Sequence, residues 1–483
     1  MTLWVEGKSF SKKATPSPQP LFRNRFPSIS TRFLVAVIIM KTERLLLIFI
    51  LSVKILLVLG VFFFFGESRF MWADTEHYAS LGRNLVRGNG LSFPLDNAPG
   101  YEPTTEFMPV YPALLGVASL IPHGFIAVSI LQAILAGVTA LYVYRIALFF
   151  LPSMWAIGTV LICSFEPLVA AMHLLLMPET IYVCFATMFL YYTLAYARDN
   201  RPADMHAAVF TLALAIYTKP IAMYLTVFAA LFLFATKGGF RKTVVFISIL
   251  TLLLFPWMVR NYVLAGTYAI NTNGERNFCN WGLSSILAVR YGVDSSNWNT
   301  TVHMPEYEEV KGRCASVGRA LWIFSTEYPS SFIKVSALST LSLLTNDGYT
   351  VFFEKPEDEQ VKAHHNYITP AVFSNKDWRI KISAALREFS FIELGIIFAG
   401  KLFWVLASLG AGAGAFMLIR KKETRPYALF LFCIVFYYVA ASVLSTGLSV
   451  GARLRYPIDA LLLIFATYAM RYIITSGFST EQD

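Results

Sequence analysis

Residues 45–65 read LLLIFILSVKILLVLGVFFFF. About 20 apolar residues in a helix cover the roughly 30 Å hydrocarbon core of a bilayer. The run is too long for a signal-peptide core, and no small-residue cleavage site follows it. It predicts a first membrane span, running from inside to outside. Comparable runs recur along the 483 residues, of which 56% are hydrophobic and 14% charged. A soluble domain carries roughly 25% charged residues. The runs are continuous rather than alternating, which argues against a membrane β-barrel. The fold class expected is an all-α polytopic membrane protein.

On the N-terminal side, residues 1–44 are basic and rich in Ser and Pro, and they read as a cytoplasmic tail. On the C-terminal side comes a polar stretch, WADTEHYASLGRNLVRGNGLSFPLDNAPGYEPTTEFMPVYP, residues 72–112. It is acidic and aromatic where connectors between spans are usually short and plain. Asp74, Glu76, His77, Tyr78, Asp96 and Tyr111 lie in it. Residues 107–122 are apolar but short and hold Pro109 and Pro112, which reads as re-entrant rather than spanning.

Further apolar runs at 125–150, 154–175, 177–197, 205–218, 220–236, 244–263, 392–419, 427–444 and 457–474 bring the expected number of spans to about ten. If 107–122 does not cross, then Arg145, Arg198, Arg201, Lys237, Arg241, Lys242, Arg420, Lys421 and Lys422 all fall inside, as the positive-inside rule demands. That choice puts the Asp74 loop, the turn before Glu179 and the segment 264–390 on one outer face. Within 264–390, the semi-apolar part 320–345, broken by Pro329, predicts an interfacial helix pair. Asn299-Thr300-Thr301 forms a glycosylation sequon. Cys279 and Cys314 both lie in this outer segment, where an oxidising compartment would favour a disulfide.

The net charge of +10 is spread between spans, with no basic-aromatic strip, so no nucleic-acid partner is expected. Glu179 opens an apolar run after Pro178; it either stabilises a helix start or serves as a second acid facing Asp74. Lys219, Arg260, Arg453 and Arg455 sit at outer helix ends, against the charge bias. Four such cations at the ends of different helices suggest an anion site, for which a lipid phosphate is the natural ligand. No internal repeat points to a transporter built on inverted repeats.

Six blocks in order then resemble the GT-C superfamily of membrane glycosyltransferases. They are ADTEHYASLGRNLVRGNGLS (73–92), PTTEFMPVYPALLG (103–116), MPETIY (177–182), YTKPIA (217–222), FPWMVRNYVLAG (255–266) and GARLRYPIDALLLIFA (451–466). Within that superfamily the chain is similar to the bacterial relatives of protein O-mannosyltransferases and of the aminoarabinose transferase acting on lipid A. Thr75 stands where relatives often carry a second acid, and Lys219 stands where Arg is usual.

The resemblance implies a GT-C type bundle with a catalytic first outer loop (66–124) in an N-terminal module (45–263). An outer region (264–390), C-terminal helices (391–475) and a short cytoplasmic tail (476–483) follow. It implies transfer of a sugar from a polyprenyl-phosphate donor to an acceptor hydroxyl of a lipid, glycan or protein, with inversion. Asp74 takes the place of the general base and Glu179 of a supporting acid. Glu76, His77, Tyr78, Tyr111, Lys219, Arg260, Arg453 and Arg455 would bind substrate. No cofactor is named, and a divalent metal is left open. The implied setting is the inner membrane of a bacterium, in contact with membrane lipids, with the site on the periplasmic or extracellular face. An envelope-glycan polymerase or ligase and a lipid-linked sugar transporter are the alternatives.

Overall fold

The computed structural model describes residues 29–72, 74–95, 99–236, 239–293, 301–314, 316–353 and 369–477. Asp96, Lys237, the sequon at Asn299 and residues 1–28 of the expected tail lie outside these. The chain divides after Leu45. The described part of the first unit, residues 29–45, is helical, and all that follows concerns the second.

The helices run in order α1 (Ile29–Phe65), α2 (Thr75–Val86), α3 (Val110–Ala118), α4 (Gly124–Ala147), α5 (Ser153–Phe165), α6 (Pro167–Met172), α7 (Glu179–Asp199), α8 (Pro202–Thr218), α9 (Leu225–Ala235) and α10 (Gly239–Ala265). The segment between α10 and the next long helix holds α11 (Asn273–Asn277), α12 (Leu283–Tyr291), α13 (Pro305–Arg313), α14 (Val317–Glu327), α15 (Pro329–Thr345) and α16 (Trp378–Glu388). Then come α17 (Phe391–Arg420), α18 (Arg425–Thr446) and α19 (Tyr456–Gly477). A hairpin of β1 (Ser92–Pro94) and β2 (Tyr101–Pro103) is antiparallel, with Phe93 opposite Glu102.

The fold is all-α and polytopic, and the chain is an integral membrane protein. Among the described residues seven helices are long and apolar enough to cross a bilayer: 41–65, 124–147, 179–199, 239–265, 391–420, 425–449 and 456–476. About ten spans were expected, and the difference is one of length. α5 has 13 residues and α9 has 11, and at 1.5 Å per residue each stays under roughly 20 Å. The run 154–175 is not one span, because it breaks at Glu166. Pro167 has no N–H to give and drives the residue before it out of the helical region. Glu166 is extended there, at φ −55° and ψ 129°, and its carboxylate caps α6 by accepting from Val169 N at 2.9 Å. α3 is nine residues long, or about 14 Å, too short to span.

The same proline rule shapes the step at 218–220. Lys219, before Pro220, is extended at φ −141° and ψ 124°, so α8 ends there. α2 and α3 lie against each other at Gly82 and Gly116. A Cβ on Gly82 would stand 2.3 Å from Pro112 O and 2.6 Å from Gly116 N. Backbone cannot yield that far, so Gly82→Val is expected to destabilise the chain by roughly 1–3 kcal/mol or more. Thermal unfolding of the purified variant checks this; an unchanged midpoint would show that α2 can move freely.

The segment from α11 to α16 has a core of its own, with Leu283, Ile286, Leu287, Tyr307, Ile323 and Phe324 buried together. Cys279 and Cys314 are joined by a disulfide beside it, as the oxidising-compartment argument anticipated. The expected helix pair over 320–345 is α14 and α15, broken at Pro329. Free thiols at Cys163, Cys184 and Cys433 lie in the bundle.

Candidate active site

Asp74 is the N-cap residue of α2, a position at which Asp commonly accepts a backbone N–H. Here it makes no such bond. Arg453 Nη1 donates to its Oδ2 at 3.1 Å instead, across 379 residues of chain. Arg453 Nε also lies 3.4 Å from Glu179 Oε1. Lys219 Nζ donates to the same oxygen at 2.9 Å. Two acids and two cations therefore form one alternating cluster: Asp74, Arg453, Glu179, Lys219. Their formal charges cancel, as a part-buried polar group needs if its desolvation is to be offset.

Exposure grades across the cluster. The Glu179 side chain is 3% exposed, Lys219 24%, Arg453 34% and Asp74 46%. Glu179 forms the floor and Asp74 the open rim. The second Glu179 oxygen, Oε2, is buried and has no hydrogen-bond partner. An unpaired buried carboxylate oxygen is costly, and it marks a place where a donor group of an incoming molecule would be welcome.

Tyr78 and Tyr111 wall the cluster, their rings edge to face at 5.3 Å. Burial first, then the Glu179 and Asp74 carboxylates, push the Tyr78 phenol up, so it stays a neutral O–H. Burial works to lower the Arg453 guanidinium, and the Glu179 and Asp74 charges outweigh it, so its net direction is up.

The turn 173–178 sets the spacing of the two acids. Thr75, next to Asp74, donates Oγ1 to Leu176 O at 3.0 Å and accepts from Trp72 N at 2.8 Å. Gln132 Nε2 donates to His173 O at 3.1 Å and Leu175 O at 2.7 Å, while its Oε1 accepts from Tyr111 O–H at 3.0 Å. One fully buried glutamine thus ties α4, α3 and the turn that carries Glu179. The sequence marks Thr75 only as standing where relatives carry an acid, not as an anchor of the turn, and it does not single out Gln132. A lone Gln inside an apolar span was the available signal for the second.

The other expected site residues are engaged elsewhere. Glu76 pairs with Arg83, and His77 lies edge-on to Phe93 at 6.3 Å. Arg260 donates to Thr104 O at 2.7 Å and to Leu91 O at 3.2 Å, and sits over Trp257. It straps the first outer loop to α10. Arg455 is fully buried and pairs with Asp459 at 2.7 Å. It also donates to Leu343 O at 2.9 Å and packs over the Trp404 ring at 3.5 Å. The structure therefore gives Arg260 and Arg455 protein partners. Among the described residues no group of three or more His, Cys, Asp or Glu side chains converges in a way that could hold a metal ion.

Residues 106–259 match the family described as dolichyl-phosphate-mannose-protein mannosyltransferase. Together with the six ordered blocks, the match supports the resemblance to GT-C superfamily glycosyltransferases. Two solved structures from Archaeoglobus fulgidus are similar to the chain. One is the oligosaccharyltransferase AglB in complex with an inhibitory peptide and a dolichol-phosphate, with a TM-score of 0.43 and 14% identity. The other is an oligosaccharyltransferase in the apo form, with a TM-score of 0.42 and 14% identity. Each comparison covers 89% of this chain, and 50% and 51% of the archaeal chains respectively, so the chain spans about half their length. No curated protein matches.

Proposed function

We propose that the chain is a glycosyltransferase that moves a sugar from a polyprenyl-phosphate donor to an acceptor hydroxyl, with inversion at the anomeric carbon. The observation that carries this is Arg453, held between Asp74 and Glu179 with Lys219 alongside. An open carboxylate and two cations stand within one cluster at the edge of an apolar bundle, which supports a base beside a phosphate site. That is the set such a reaction requires.

In the proposed reaction the donor phosphate takes up Arg453 and Lys219, since phosphate is a strong partner for both. Arg453 then no longer neutralises Asp74, whose carboxylate becomes a usable base. The acceptor oxygen attacks the anomeric carbon and its proton passes to Asp74. The bond from that carbon to the phosphate oxygen breaks, and the electron pair leaves on polyprenyl phosphate, stabilised by the two cations. Glu179 keeps the cations in place from below. Tyr78 and Tyr111 flank the sugar as neutral aromatic walls.

The setting proposed is a bacterial inner membrane with the cluster on its outer face. The disulfide Cys279–Cys314 supports it, since disulfides persist in oxidising compartments. The basic ends at Arg198, Arg241 and Arg420 would then be cytoplasmic. Cysteines introduced at Arg241 and Glu308 are expected to react with an impermeant thiol reagent from opposite sides of the membrane. Labelling of both from one side would contradict the sidedness.

The cations give the kinetic test. In purified proteoliposomes supplied with polyprenyl-phosphate mannose, Arg453→Gln is expected to lower kcat/KM for the donor by about 10–100-fold, the worth of a charge-assisted contact. The KM for acceptor should stay near the parent value. A variant that raised only the acceptor KM would show that Arg453 does not serve the phosphate. Absence of any sugar transfer by the parent chain, with a panel of polyprenyl-phosphate sugars, would remove the reading as a whole.

A further inference from the structure

We infer that α16, residues Trp378–Glu388, is a docking surface for the anionic phospholipid headgroups of the membrane in which the chain sits. The sequence WRIKISAALRE places Trp378, Ile382 and Leu386 in one i, i+4, i+8 row. Arg379, Ser383 and Arg387 form the row beside it. Together they line an open groove of about 340 Å³. One row is apolar and the row beside it on the same helix face carries two guanidinium groups, both exposed. An acyl chain meets its phosphate across the same kind of boundary.

Height supports the assignment. α17 begins at Phe391, three residues after α16 ends, and is long and apolar enough to cross the membrane. Its first residues, Phe391 and Ile392, are 91% and 74% exposed, so they are suited to meet lipid directly. A helix that ends this close before them lies at headgroup level. Trp378, with Phe373 edge to face at 5.1 Å, is the aromatic type enriched at that depth. Arg379 sits over the Trp378 ring at 5.3 Å, which holds its guanidinium toward the groove without a carboxylate partner among the hydrogen bonds and ion pairs of the described residues. Phosphate suits a planar guanidinium. α16 also lies on the end of the bundle that holds Arg453, because α17 and α18 carry the chain across and back between Phe391 and Arg453. The surface would therefore tether the outer region beside the cluster, whatever that cluster transfers.

The test uses the full chain in nanodiscs of phosphatidylcholine alone or mixed equally with phosphatidylglycerol, with hydrogen exchange read by mass spectrometry. Residues 378–388 are expected to exchange about tenfold more slowly in the anionic discs, a size set by two basic groups near a charged surface. The difference should vanish in Arg379→Gln/Arg387→Gln and persist in Arg379→Lys/Arg387→Lys. Equal exchange in the two lipids for the parent chain overturns the proposal, even if the Gln variant fails to insert. Protection that depends on a second copy per disc, or only on added polyprenyl phosphate, overturns it in favour of those occupants.

Discussion

Arg455→Ala is expected to destabilise the protein by about 3–5 kcal/mol, the usual cost of leaving a buried charge unpaired. Arg455 and Asp459 are 0% and 1% exposed and pair at 2.7 Å, one turn apart at the start of α19. Removing the guanidinium strands the Asp459 carboxylate, whose Oδ2 already lacks a partner. It also frees Leu343 O, and so loosens the end of α15 where the outer region meets the bundle. The apolar replacement Arg455→Met/Asp459→Leu removes both charges at similar volume. It should regain most of the loss, since a buried pair is often worth no more than a well-packed apolar one. Thermal unfolding of the two variants checks this. If Arg455→Ala unfolds with the parent, or the double variant fares worse than the single, the pair is not what holds this corner. Arg453 lies two residues earlier in the same turn, so transfer by the double variant also reports whether the anchor alone sets its position.

The contrast between Arg453 and Arg455 shows where sequence reading stops. In GARLRYPID both read as outer cations suited to a phosphate. Arg453 lies within a short 3-10 turn at Ala452–Leu454, and Arg455 directly follows it. One reaches the open cluster and the other goes into the bundle. The spacing of Arg455 to Asp459, four residues apart on a helix, carried the clue, because such pairs meet. The partners of Arg260 are illegible for a related reason. They are backbone carbonyls of the first outer loop, and carbonyls leave no mark in a sequence. Apolar runs and the Pro steps were legible because they act over neighbouring residues. The break at Glu166 was missed since one acid barely lowers the hydropathy of a long window, although Pro167 announced it. The meeting of Asp74 with Arg453 could be expected from the order of the blocks, but the bond between them could not.

Asp74 carries the central claim. Its carboxylate occupies an N-cap position without capping and is 46% exposed at the rim of the cluster. A structural cap would tolerate Asn, which keeps an oxygen of the same reach. A general base would not, because the amide cannot accept the acceptor proton, and loss of such a base costs about 10²–10⁴-fold in rate. In the proposed reaction donor binding runs through Arg453 and Lys219, so it should survive the change. It should even tighten, since Arg453 is released from its salt bridge. The measurement is single-turnover transfer from a defined polyprenyl-phosphate sugar by purified Asp74→Asn in proteoliposomes, with donor binding followed in the same sample. Donor binding is expected to be at least as strong as the parent's and transfer to fall by about 10²–10⁴-fold. Near-parent transfer by Asp74→Asn would contradict it.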